Sequence, residues 1–151
     1  MDNNDQLLGQ IKRLFASQRF AVLATQFEGQ PYSNLVAFAE SDDLKSLLFV
    51  TGRGTRKYSN TLASKKVAVL IDNRTNQVVD LASAIAVTAL GTIEEIDTDA
   101  EHSLSGVYLS KHPQLKDFLY NPSNALLKIT VTDYVVATFG SVGRLSVGEM
   151  Q

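Results

Sequence analysis

Three short apolar stretches divided by tight turns set the first third of this chain as antiparallel β structure. Residues 20–27 end at Glu28-Gly29-Gln30-Pro31, residues 32–40 end at Ser41-Asp42-Asp43, and residues 46–51 end at Gly52-Arg53-Gly54. The turn residues supply the unusual backbone angles a reversal needs, and the runs between them are rich in strand formers, so the first two read as a hairpin. Three more runs continue the pattern. Val67, Val69 and Ile71 alternate with Ala68 and Leu70 over residues 66–72, apolar on both faces, which predicts a buried strand running into the polar loop Asp72-Asn73-Arg74-Thr75-Asn76. Residues 84–96 predict a long strand in which Gly91 marks a bulge or bend. Residues 125–139 alternate through Lys128, Thr130, Thr132 and Thr138 before a glycine-punctuated tail at Gly140-Ser141-Val142-Gly143, which makes six strands.

Helical signals are few and placed between these strands. Leu7, Leu8, Ile11, Leu14 and Phe15 recur at helical spacing, so residues 5–18 form an amphipathic lid. Thr55 is placed as the N-cap of a short helix through Leu62. Thr98-Asp99-Ala100-Glu101 has the form of a capping box and opens a helix through Leu104, Val107, Tyr108 and Leu109 towards His112-Pro113. A second short helix covers residues 114–119. The class is mainly β, a small antiparallel barrel decorated by helices, and not a βαβ sheet. One domain accommodates all 151 residues: N-terminal helix 1–19, barrel strands 20–97, helical insertion 98–122, closing strand 123–140 and tail 141–151.

Charge is unevenly spread. Residues 44–71 contain no Asp or Glu but hold Lys45, Arg53, Arg56, Lys57, Lys65 and Lys66, while the rest of the chain has a net charge of −8. A short basic segment in an acidic chain suits a compact anion such as a phosphate better than a nucleic-acid track, which needs a broad basic face. The absence of cysteine excludes disulfides, cysteine-ligated zinc, iron–sulfur clusters and a thiol nucleophile. No apolar run approaches the roughly 18 residues of a membrane span, and Met1-Asp2-Asn3-Asn4-Asp5 is polar where a secretory leader is basic then apolar, so a cytoplasmic address is expected.

The basic segment coincides with a predicted helix N-terminus. Unpaired amides and the positive end of the helix dipole meet the hydroxyls of Thr51 and Thr55, the guanidinium of Arg56 and the ammonium of Lys57, a set able to hold a phosphate monoester dianion. Arg56 supplies a planar fork and Lys57 a point charge. Arg74, beside Asn73 after a buried strand, reads as another anion contact. Other candidates carry bland readings. His102 and His112 fit a helix surface and a helix end, Ser141 a flexible tail, and Glu94, Glu95, Asp97 and Asp99 a solvated face. Gly52-Arg53-Gly54-Thr55-Arg56-Lys57 lacks the third glycine of a dinucleotide fingerprint and the spacing of a Walker A loop.

Several stretches together resemble the FMN-binding split-barrel superfamily, the pyridoxamine 5′-phosphate oxidase-like proteins, over nearly the whole chain. They are Phe20-Ala21-Val22-Leu23-Ala24-Thr25, Gly29-Gln30-Pro31-Tyr32-Ser33-Asn34-Leu35-Val36, Leu48-Phe49-Val50-Thr51 with Thr55-Arg56-Lys57-Tyr58-Ser59-Asn60, Val67-Ala68-Val69-Leu70-Ile71-Asp72 and Ala86-Val87-Thr88-Ala89-Leu90-Gly91. The resemblance implies a six-stranded antiparallel split β-barrel. It implies FMN as cofactor, with Ser33, Asn34, Leu35 and Val36 along the ring, Thr51, Thr55, Arg56 and Lys57 at the phosphate, and Asn73 and Arg74 as further polar contacts. It also implies a homodimer with flavin sites at the subunit interface.

Departures from the family pattern bear on activity. The oxidase proper has an arginine where Asn34 aligns, and a C-terminal segment bearing tryptophan, arginine and histidine; this chain has no tryptophan and ends soon after Arg144. Oxidation of pyridoxamine 5′-phosphate is therefore not expected. The expectation is an FMN-dependent oxidoreductase acting on a small molecule, without nucleic-acid or membrane partners. A non-catalytic binder of flavin, deazaflavin or haem is the alternative, and a cofactor-free oligomeric domain a third.

Overall fold

The computed structural model describes residues 3–100 and 102–150. The first two residues of the expected N-terminal segment, Glu101 of the expected capping box and the last residue of the tail lie outside the described residues. The elements follow in order: α1 (Asn3–Ser17), β1 (Phe20–Phe27), β2 (Gln30–Glu40), β3 (Ser46–Gly52), α2 (Arg56–Ala63), β4 (Lys66–Asp72) and α3 (Asp80–Ser83). Then come β5 (Ala86–Ile96), α4 (His102–Lys111), a 3-10 turn (Pro113–Leu115), α5 (Lys116–Tyr120), β6 (Asn124–Ala137), β7 (Val142–Ser146) and a closing 3-10 turn (Val147–Glu149).

All strand pairings are antiparallel, in the order β3-β2-β1-β4-β5-β6-β7. A further ladder from β3 to β6, Ser46↔Thr130 through Gly52↔Asn124, closes the first six strands into a barrel. β6 serves two neighbours in turn: its first half pairs with β3, and its second half, from Asp133 to Ala137, pairs with β7. The change of partner sits at a bulge. Leu90 opposes Asp133 while Gly91 opposes Val131, which leaves Thr132 as the extra residue, its hydroxyl donating to the Leu90 carbonyl at 3.1 Å. Gly91 is required there, because a Cβ on it would lie 2.2 Å from the Thr130 carbonyl oxygen.

The barrel interior and α1 make one core. Leu7, Ile11, Leu14 and Phe15 of the helix are buried, and the Phe15 ring meets Phe38 and Tyr134 edge-on, each at 5.7 Å between centroids. Burying an aromatic ring of this size contributes about 2–3 kcal/mol, so α1 is an integral lid. A second cluster lies outside the barrel wall, where Ala39, Leu48, Val50, Ile96 and Leu126 are covered by Tyr108 of α4 and Leu119 of α5.

Two expectations need correction. The segment after residue 140 is not a free tail: β7 extends the sheet, Leu145 is buried, and Gly143 packs so closely on Leu7 that a Cβ would come within 3.0 Å of it. The polar loop after β4 is present as expected, and beyond it lies a short helix not predicted from the sequence, α3, whose Asp80 accepts from the backbone amides of Thr75 and Asn76. Of the described residues, α4 begins at His102, later than the Thr98 start that the sequence predicts.

Candidate functional site

The turn from β3 into α2 is organised by Thr55. Its hydroxyl accepts from the Tyr58 amide at 3.3 Å, donates to the Gly52 carbonyl at 2.9 Å, and lies 3.1 Å from the Thr51 hydroxyl. The expected N-cap is therefore present, and its side chain closes the turn onto the end of β3. A helix begins with amides that have no intrahelical acceptor. Thr55 takes that of Tyr58 through its hydroxyl and that of Ser59 through its carbonyl, which leaves the Arg56 and Lys57 amides open at this helix start.

Beside this turn lies a cleft of about 430 Å³, within the range of small-molecule sites. Thr51, Gly52, Thr55 and Lys57 form one side, and Leu35, Val36 and Ala37 of β2 run along its floor. Tyr108, Leu115 and Phe118 of the helical insertion form the opposite wall. Polar anchors are thus gathered at one end and apolar surface lines the rest. Arg56 stands over the ring of Tyr32 at 5.6 Å, at the start of β2.

The turn is braced from behind. Arg53 donates to the Pro122 carbonyl at 2.7 Å and pairs with Glu95 of β5 at 2.8 Å, while the Tyr58 hydroxyl donates to the other Glu95 oxygen at 2.7 Å. Partial burial pushes the Glu95 carboxyl up, but the hydrogen bonds from Arg53 and Tyr58 and the Arg53 charge outweigh it, so Glu95 titrates below the usual glutamate value. The same contact with Glu95 raises Tyr58 and Arg53, in each case as the largest effect. Glu95 is thus more than part of a solvated face, whereas Glu94 is exposed as expected and faces Lys128 at 3.9 Å.

Of the residues singled out from sequence, Leu35, Val36, Thr51, Thr55 and Lys57 come together in the cleft. Ser33 is exposed on the same strand. Asn34 is half-buried; its amide group donates to the Leu35 carbonyl at 3.4 Å, and its Oδ1 is buried without a partner. Asn73 and Arg74 are not brought to the cleft. The Asn73 side chain accepts from the Ile85 amide at 2.8 Å, Arg74 pairs with Asp72 at 3.0 Å, and both border hollows beside α1 and α3. His102 is exposed at the start of α4 and His112 lies buried just beyond its end. Sequence reasoning missed Tyr108, Leu115, Phe118 and Asn124, all delivered to the cleft by long-range packing. Among the described residues no cluster of His, Asp and Glu is arranged to hold a metal ion, and no helix is long and apolar enough to cross a membrane.

Comparison with known proteins places this architecture. The family model for pyridoxamine 5′-phosphate oxidase matches residues 7–135. A Schizosaccharomyces pombe protein named as a pyridoxamine 5′-phosphate oxidase homolog is 29% identical over 85 residues, which cover 50% of this chain and 44% of that protein. A haem-binding protein from Mycobacterium smegmatis superposes with a TM-score of 0.78 at 16% identity, over 90% of this chain and 56% of its own. A Clostridium acetobutylicum protein related to general stress protein 26, of the pyridoxinephosphate oxidase family, matches over 100% of both chains with a TM-score of 0.72 at 17% identity. A FAD-binding protein from Mesorhizobium loti gives 0.68 at 21% identity, over 85% of this chain and 90% of its own. This chain thus spans less than half the length of the yeast relative and little more than half of the mycobacterial one.

Proposed function

The chain belongs to the pyridoxamine 5′-phosphate oxidase family, and on that premise we propose that it binds FMN in the cleft between β2, the β3–α2 turn and α5, as a flavin-dependent oxidoreductase. The observation that carries this reading is the division of the cleft into a polar end and an apolar length. Lys57 and the open amides of the helix start match a phosphate dianion, with Arg56 next to Lys57 in the chain but over the Tyr32 ring and outside the cleft lining, and Leu35 and Val36 match a flat apolar ring. Asn34 Oδ1 is buried without a partner one residue before Leu35, but Asn34 does not line the cleft.

Bound FMN supplies the electron and hydride chemistry, as cofactors do in this class of enzyme. The chain's own residues bind and orient. Arg56 and Lys57 neutralise the phosphate, Thr55 holds the turn that presents their amides, and Phe118 with Leu115 excludes water from the opposite side. The substrate is a small molecule, and the asparagine at position 34, where the oxidase proper has an arginine, weighs against pyridoxamine 5′-phosphate.

The proposal includes a homodimer with the flavin sites at its interface. It is supported by the outward face of the β1–β2 hairpin, where Phe20 is 62% and Leu35 69% exposed. Within one protomer Asn73 and Arg74 border other hollows, so in the proposed dimer they meet the flavin from the second copy.

The test is gel filtration of the purified chain after incubation with FMN, followed by its visible spectrum. Flavin bands eluting with protein at the volume of a dimer are expected, and reduction of the bound pigment by NADH or NADPH separates the oxidoreductase from a passive carrier. Protein that elutes colourless after FMN addition refutes the reading.

A further inference from the structure

We infer that Glu95 is a positioning residue of the anion site, a strut that sets the shape of the 51–57 turn and keeps Arg53 out of it. The inference rests on the FMN reading above and concerns how that site is built. Glu95 stands near the end of β5, two residues beyond the buried Ile93 and opposite the buried Leu127, so strand alternation aims it at the mouth of the barrel interior. There it uses its two oxygens on two different residues. Oε2 holds Arg53, in the middle of the turn, at 2.8 Å; Oε1 holds the hydroxyl of Tyr58, in the first turn of α2, at 2.7 Å.

Those two anchors flank Thr55, Arg56 and Lys57 in sequence, and each is itself fixed at a second point. The Tyr58 ring packs against the interior core, and Arg53 donates to the Pro122 carbonyl at 2.7 Å while its amide bonds to the Ser123 carbonyl at 3.0 Å. One carboxylate therefore ties the anion-presenting turn to the sheet and, through Arg53, to the end of the helical insertion that walls the cleft.

The charge arrangement gives the strut a second effect. The turn carries three cations, and Glu95 neutralises Arg53, whereas Arg56 and Lys57 form no ion pair among the described residues. The pair left over matches the two negative charges of a phosphate monoester. An acidic residue this close to an anion site is otherwise a liability, since an unpaired carboxylate repels phosphate; saturated by Arg53 and Tyr58, it is spent on geometry.

The experiment compares FMN with riboflavin, which has the ring but no phosphate, by flavin fluorescence titration of the full chain and its Glu95→Gln, Glu95→Ala and Tyr58→Phe variants. Glu95→Gln keeps an acceptor for Tyr58 and removes the negative charge that neutralises Arg53; Tyr58→Phe keeps the core ring and removes only the hydroxyl. FMN affinity is expected to fall about tenfold in Glu95→Gln and further in Glu95→Ala, the scale of a lost charge-assisted contact, with riboflavin affinity unchanged. Tyr58→Phe shows the same FMN-selective loss at smaller size. FMN affinity that stays level or tightens in both Glu95 variants overturns the positioning role, and so does an equal loss for both flavins. An unsubstituted chain that binds FMN no better than riboflavin refutes the phosphate site itself, and the inference falls with it.

Discussion

Lys111 Nζ lies 2.7 Å from Glu40 Oε1, and the same ammonium donates to the Phe15 carbonyl at 2.8 Å and sits 3.8 Å from the centroid of the Phe38 ring. One side chain thus joins the last turn of α1, the end of β2 and the end of α4. A cation at a helix C-terminus meets carbonyls that have no intrahelical donor, so the contact with Phe15 also relieves the end of α1. The lid and the helical insertion are separate in sequence, yet they share this anchor on β2, the strand that floors the cleft.

Removing Lys111 should therefore cost more than an exposed salt bridge. The side chains of Lys111 and Glu40 are 16% and 19% exposed, and a nearly buried carboxylate stripped of its partner is destabilising by about 3 kcal/mol. Lys111→Met is expected to lower the unfolding free energy measured in urea by that amount, and Lys111→Met with Glu40→Leu to recover part of it. Strict additivity of the two single changes would show that the pair is not coupled.

His112 gives the fold a pH dependence with a defined sign. Burial is the largest influence on it and lowers its pKa below the ordinary 6.5, although its contact with the Phe38 carbonyl at 2.7 Å works the other way. A carbonyl only accepts, so Nε2 carries a proton in the neutral ring. As pH falls from 6.5, the unfolded chain binds its proton first, and stability drops until the folded value is passed. The thermal midpoint should decline between pH 7 and pH 5, and His112→Gln should flatten that decline. An equally steep decline in the variant would place the titration elsewhere.

Gly91→Ala tests the bulge that lets β6 change partners. The new methyl would stand 2.2 Å from the Thr130 carbonyl oxygen and 3.0 Å from Ile129, and both neighbours belong to the ladder that closes the barrel. Backbone cannot retreat as a flexible side-chain tip does, so a loss of about 3 kcal/mol is expected, at the upper end for overpacking. Chemical denaturation showing less than a third of that loss would mean that the two strands part there readily.

How much of this was readable in advance depended on the range of the signal. The six barrel strands follow from turn residues a few positions apart, and the Thr55 cap and the cations after it lie within one helical turn. β7 carried almost no signal, because its five residues bury only Leu145 and its glycine acts through contact with Leu7, more than a hundred residues away. The cleft was half legible for the same reason. Thr51, Thr55 and Lys57 are local to the turn, but Phe118 and Tyr108 reach it only through tertiary packing, and Glu95 meets Tyr58 and Arg53 across 37 and 42 positions. Asn73 and Arg74, carried over by resemblance, lie apart from the cleft within one protomer.

Arg56 and Lys57 should separate by their partners even though both are cations at one helix start. Arg56 stands over Tyr32, its Cζ 5.6 Å from the ring centroid, whereas Lys57 lines the cleft as a point charge. Arg56→Lys keeps the charge but loses the fork that bonds two phosphate oxygens at once, so FMN affinity is expected to drop roughly tenfold. Lys57→Arg keeps charge and donors and should cost little, while Lys57→Ala should weaken FMN by a similar tenfold and leave riboflavin unaffected. Because exposed charges are screened, the loss in Lys57→Ala should shrink as salt is raised, and the Arg56→Lys loss should persist, since it is a loss of geometry. Isothermal titration at low and high salt reads both; matching salt dependence for the two variants would show that Arg56 contributes charge alone.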